Sequence, residues 1–220
     1  MKHLSLPLLL AMSLSCGSAW AVDDISKVNG HITAEAGQAY GDLETVNGGI
    51  NVSSGATTRS IQTVNGGIKV EEGASTGSVS TVNGAIKLGP RVMAKGNIET
   101  VNGSIFVDRG SQINGGVETV NGGIGLVETR LSNSIKTVNG DITVGVGSQV
   151  GGGIHVEKPS FGISLSAPRK PRIIIGPKAS VAGELNFERE VVLYVHRTAS
   201  IGPVHGAEPV PFDTDTAPAN

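Results

Sequence analysis

The sequence predicts an all-β fold, a single-stranded, three-sided parallel β-helix (a solenoid) with about 18 residues per coil. Three observations point there. The phrase Thr-Val-Asn-Gly-x-Ile recurs, with its Asn at Asn29, Asn47, Asn65, Asn83, Asn102, Asn121 and Asn139, at spacings of 18, 18, 18, 19, 19 and 18. Aliphatic residues alternate with polar ones on both sides of each Asn, which is strand periodicity with one face buried. Aromatic residues make up 3 % of the chain while Gly supplies 32 of its 220 residues. That composition suits a slender aliphatic interior with regular turns rather than a core built on Phe and Trp.

Each coil reads as strand, turn, strand, turn, strand. Four residues before Asn stand Ile25, Leu43, Ile61, Val79, Ile98, Val117 and Ile135. Three after it stands Ile in every copy, and five after it an aliphatic residue such as Val52, Val70 or Leu88. The residue directly before Asn is Val in all seven copies, and it is expected in the core with the other aliphatic columns. The expected phase is therefore Val64, Ile68 and Val70 buried with Gln62 and Lys69 exposed. Asn-Gly marks the first turn, where Asn tolerates left-handed backbone and Gly supplies positive φ. A local Asn-Gly hairpin is the alternative, but it leaves the 18-residue period unexplained. In a coil the Asn side chains stack about 4.8 Å apart and can form an amide ladder. A second turn often opens on Gly, as in Gly55-Ala56, Gly73-Ala74, Gly110-Ser111 and Gly147-Ser148.

The ends and one interruption depart from the repeat. Residues 1–21 read as a signal peptide: Lys2 and His3, an apolar run from Leu4 to Leu14, and the cleavage pattern Ala19-Trp20-Ala21. The mature chain is expected to start at Val22, exported to the periplasm or cell surface, with no transmembrane segment of its own. Cys16 lacks Leu three residues before it, where Ser13 stands, so lipid anchoring is disfavoured. Residues 22–206 form the β-helix domain, with an inserted loop at 157–172. Glu157-Lys158-Pro159 occupies the place of Val-Asn-Gly there, and Pro168 and Pro171 follow. Lys158, Phe161, Arg169, Lys170 and Arg172 are the candidate binding residues, suited to an anionic partner such as an acidic glycan. The coil rhythm resumes at Ile173, and Phe187, Tyr194 and Phe212 are large enough to close the end. Residues 207–220 are expected to be a disordered tail, with Val210 to Phe212 as the part that can fold back on the end of the stack.

The Thr-Val-Asn-Gly-x-Ile repeats from Val28 to Val144 resemble a bacterial family of repetitive β-strand proteins described as adhesins. The run from Ile175 to Leu185 is similar to bactofilins, polymer-forming proteins with a three-sided β-helix. The second resemblance implies a right-handed coil and self-association. Neither supplies a catalytic residue, and a signal peptide departs from the cytosolic bactofilin pattern.

Chemistry-bearing clusters are few. The net charge of −2 gives no electrostatic case for nucleic acid. Glu44, Glu99 and Glu118 share an outward column, but Gln62 and Ser80 interrupt it. A polysaccharide-degrading site needs paired carboxylates around one bond, and no coil assembles them. His155 and His196 are expected on adjacent turns, too few for a metal site. The left-handed acyltransferase coil keeps one aliphatic every six residues, a rhythm absent here. Outward aromatics that could bind sugar are limited to Phe106 and Phe161. The expectation is an exported, non-catalytic scaffold without a cofactor or metal, adhesin-like or self-associating. Polysaccharide binding or degradation is the alternative.

Overall fold

The structure, a computed structural model, describes residues 22–159 and 169–218. It is a parallel β-solenoid of three sheets with no helix among the described residues. The first sheet has ten strands, running in chain order from Ile25–Asn29 to Val204–His205. The second also has ten, from Ile32–Ala34 to Pro209–Phe212. The third has seven two-residue strands, from Ser75–Thr76 to Ser200–Ile201, and single bridges Ala39–Thr57–Ser75 extend it upward. Every pairing between consecutive coils is parallel, so the hairpin alternative is excluded.

The repeat spacing sets the register. Asn29 pairs with Asn47, Asn47 with Asn65, and so on to Asn139. The aliphatic columns follow: Leu43, Ile61, Ile98 and Ile135 on the first sheet, Ile50, Ile68, Val70 and Ile105 on the second, all buried. The third sheet contributes Thr76 and Ala94 in the upper coils and Ile113, Leu131, Val150 and Val181 in the lower ones, with Ala56, Ala74, Ser111 and Ser148 buried in the turn before it. Ten coils of such columns make one continuous aliphatic interior that no coil could bury alone.

One expected column is reversed. Thr63 is 1 % exposed, whereas Val64 is only half-buried. Thr45, Thr81, Thr100, Thr119 and Thr137 are likewise buried. The valines before Asn point outward, with Val46 41 % and Val82 and Val101 40 % exposed. Strand parity explains the Thr: it lies two residues after the buried aliphatic and so shares its face. Except at Thr137, its hydroxyl also has an acceptor there. Thr63 Oγ1 donates to Gly48 O of the coil above at 2.9 Å, and Thr45, Thr81, Thr100 and Thr119 repeat the bond at 3.0–3.1 Å. The outward valines cover one another. Val28, at the top with a neighbour on one side only, is 68 % exposed, more than any valine within the stack, where Val64, Val120 and Val138 are half-buried.

The Asn-Gly glycine is needed for a reason other than the one expected. Positive φ occurs at Gly30 and Gly122 but not at Gly48, Gly66, Gly84 or Gly103. There a Cβ would overlap the carbonyl oxygen of the equivalent Gly in the coil above. Left-handed backbone belongs to the second turn instead, at Gly37, Gly55, Gly73, Gly110 and Gly147, with φ of 64–72°. Arg91, Glu128 and Lys178 hold the same conformation with side chains, at 54°, 44° and 55°.

The solenoid continues on both sides of the insertion. Ile135 pairs with Ile154 on the first sheet, while Ile142 pairs with Ile173 on the second. The chain therefore leaves the stack after Val156, on the first sheet, and re-enters at Arg172, on the second sheet of the same coil. Residues 160–168, Phe161 included, lie outside the described residues, as do residues 1–21 with Cys16. In the C-terminal part, Pro209–Phe212 is not tail but a strand paired with Val192–His196, and it contains the Val210–Phe212 stretch that the sequence allows to fold back on the end.

Candidate functional site

The described ends of the insertion meet one surface, where the first turn of the coil would otherwise close. Val156 pairs with Thr137 and Phe187 with Val156, so Lys158 and Arg189 occupy the Asn position in the two coils below Asn139. The Asn ladder stops here. Six bonds of 3.0–3.1 Å run up it, each Asn Nδ2 donating to the Oδ1 of the Asn above. This leaves Asn139 Oδ1 as the terminal acceptor. Arg189 Nη1 donates to it at 2.5 Å and to Val138 O at 3.0 Å. A guanidinium thus takes over from the missing amide of the coil between.

Asp141 organises the return strand. It stands two residues after Asn, where the other copies carry Gly49, Gly67, Ala85, Ser104 or Gly123, with His31 in the first. Its Oδ1 accepts from Arg172 N at 2.8 Å and its Oδ2 from Arg169 Nη2 at 2.7 Å. Arg189 Nη2 donates to Arg169 O at 3.3 Å. Lys170 Nζ pairs with Glu190 Oε2 at 2.8 Å, and this bond holds the Glu190 carboxyl below its ordinary pKa. Lys158 N donates to Glu188 Oε2 at 3.2 Å. The Arg172 guanidinium lies over the Tyr194 ring, 5.0 Å from its centroid, and bonds Pro218 O.

Four of the candidate residues, Lys158, Arg169, Lys170 and Arg172, are therefore brought to one patch. The patch is not a bare basic surface, because Asp141, Glu157, Glu188 and Glu190 share it. Arg169 and Lys170 already spend their charge on carboxylates of this chain. Both pairs are exposed, so salt and competing anions can exchange with them. Asp141 and Arg189 were missed by sequence reasoning. An acid in an otherwise small or neutral column, and an Arg at an Asn position, were the available signals.

The outer face of the first sheet is the other candidate. Glu99 pairs with Glu118 and Glu118 with Lys136, so these three stand on successive coils of one column. Asn97, Asn133 and Ser134 complete a shallow groove of about 280 Å³. The two carboxylates stand side by side on one exposed face rather than on opposite sides of a cleft. Beside them run the outward valines and then the Asn ladder. Histidines do not gather: His155 lies on the first sheet and His196 on the second, where it is buried edge-on to Phe212. Among the described residues no group of three His, Cys, Asp or Glu is placed to hold a metal ion.

At the other end, Asp24, Asp42, Arg59 and Ser60 tie the first coils together. Arg59 Nη2 reaches Asp24 Oδ1 at 3.0 Å, Arg59 Nε reaches Asp42 Oδ1 at 2.9 Å, and Ser60 Oγ donates to the same oxygen at 2.6 Å. The Arg59 and Ser60 bonds hold the Asp42 carboxyl at a pKa of about 2.

No protein-family model matches this chain, and no curated protein or solved structure matches it either.

Proposed function

We propose that this protein is an exported, non-catalytic scaffold of the bacterial cell envelope, adhesin-like, that binds an extended partner along its side. One observation carries this reading. The valine before Asn is kept in all seven copies, yet it stands outside the core. Interior packing therefore does not account for its constancy. An apolar stripe beside a polar amide ladder, repeated at about 4.8 Å per coil, suits a partner that is itself long and regular, such as a glycan strand. Export rests on the apolar leader of residues 4–14 and the Ala19-Trp20-Ala21 pattern. The resemblance of the repeats to adhesin-like chains supports the same reading.

The test is co-sedimentation of purified protein with insoluble cell-wall glycan. A Val46→Ser, Val82→Ser, Val101→Ser triple variant keeps every inward residue and should stay folded by circular dichroism. Wild-type protein is expected to sediment with the glycan and the triple variant to remain largely in solution. Equal sedimentation of the two would overturn the role of the stripe. Release of new reducing ends from the glycan would favour the polysaccharide-degrading alternative, with Glu99 and Glu118 as its first suspects.

A further inference from the structure

A solenoid ends in open strand edges, and the last coil should be an adhesive template for another chain. The C-terminal end of this one is built differently. Pro209–Phe212 is the final strand of the second sheet. Its register places Pro209 under Leu193 and Pro211 under Val195, in line with the aliphatic columns of the interior. Arg197 N donates to Phe212 O at 2.9 Å, so Phe212 faces the coil above. In a parallel ladder successive residues direct their backbone groups to opposite neighbours. Val210 therefore also faces the coil above, and Pro209 and Pro211 face the side on which an eleventh coil would lie. Both positions that would offer N–H groups to a following strand are thus occupied by the one residue that has none.

The strand is held in place. Phe212 is buried with its ring edge-on to His196 at 5.0 Å. Arg197 pairs with Asp213 at 3.0 Å, and Arg172 bonds Pro218 O. The residues after Phe212 therefore fold back over the outside of the second sheet rather than continue along the axis.

We propose that residues 207–218 are a cap that closes this end of the solenoid against a second copy of the same chain. Coil-on-coil continuation needs all three sheets to extend in register, and one sheet that cannot donate is enough to prevent it. The protein's contacts are then made by its sides, and growth of the stack from its C-terminal end is blocked. This inference stands on the end geometry and is independent of what the side faces bind.

The test restores the missing donors. Pro209→Thr with Pro211→Val keeps β-compatible side chains and adds two outward N–H groups. Sedimentation velocity over a range of concentrations should show wild-type protein at constant mass. The double variant should self-associate at least about tenfold more tightly, the equivalent of roughly one added backbone hydrogen bond. Far-ultraviolet circular dichroism checks that it is folded, and the single Pro211→Val variant replaces it if it is not. A folded variant with the wild-type concentration profile would overturn the proposal. So would wild-type filaments in electron micrographs built by coil-on-coil stacking at this end.

Discussion

A carboxylate moved by one residue gives the sharpest test of which side chains face the interior. At position 63 the side chain is 1 % exposed, and the interior it enters is aliphatic with one hydrogen-bonding partner, Gly48 O. A carboxylate there loses its hydration, can only repel that carbonyl when ionised, and costs several kcal/mol, on the order of 3–5. At position 64 the side chain is half-buried among stacked valines on the outer face. Thr63→Asp is therefore expected to unfold or lose most of its stability at neutral pH, and to recover part of it in acid as the carboxyl protonates. Val64→Asp should cost about 1 kcal/mol or less. A finer probe is Thr63→Val, which keeps the shape but orphans Gly48 O. An unpaired buried carbonyl costs about 1–3 kcal/mol, and the new methyl returns about 0.8, leaving a net loss near 1. Urea denaturation followed by circular dichroism measures all three. If Val64→Asp is the more damaging carboxylate, the Thr column is not inward and the assignment fails.

Asn65→Ala removes two ladder bonds, to Asn47 and from Asn83, whereas Asn29→Ala removes one at the top. The first should cost about 1–2 kcal/mol and the second about half as much in urea melts, and equal losses would argue against a cooperative amide ladder. Glu128 holds a left-handed φ of 44°, where five other coils use Gly. Glu128→Gly should stabilise the protein by about 0.5–1 kcal/mol, the left-handed penalty less the entropy of an added Gly, while Glu118→Gly in a regular strand should destabilise it. The Asp42 carboxyl is held at about 2, below its ordinary 3.8, by Arg59 and Ser60. Its contribution to stability is therefore complete above about pH 4 and is lost as pH falls through 2. Thermal melts should show wild-type protein losing more stability than Asp42→Asn across that window, and parallel profiles would contradict the pairing.

The period, the pairing of each coil with the next, the amide ladder and the aliphatic columns were all legible in the sequence, because each is a one-dimensional pattern. The misassigned valine shows what a pattern leaves out. Apolar character points Val64 to the core, yet parity from Ile61 assigns Thr63 to that face. Parity prevails because the threonine hydroxyl finds Gly48 O. The same carbonyl explains Gly66, whose missing Cβ lets the next coil close against it. Both depend on contacts between coils, which a single repeat does not display. The insertion was visible as a break in rhythm and as basic residues. Its partners were not, since Asp141 lies 28 residues from Arg169, and Asn139 lies 50 from Arg189. The C-terminal prolines read as tail composition, and only the register with Leu193 and Val195 shows them to be a closing strand.

One rigid stack runs through the insertion, so that the side faces form a continuous surface. Double electron–electron resonance between spin labels on the outward column of the first sheet tests it most directly. Glu44 and His155 lie six coils apart, and Glu44 and Asn186 seven. At about 4.8 Å per coil the two distances should be narrow and near 29 and 34 Å, before the reach of the labels. The 31-residue step from His155 to Asn186 should thus add only one coil's rise. A broad distribution, or a second distance that jumps well beyond one further coil, would contradict the continuous stack.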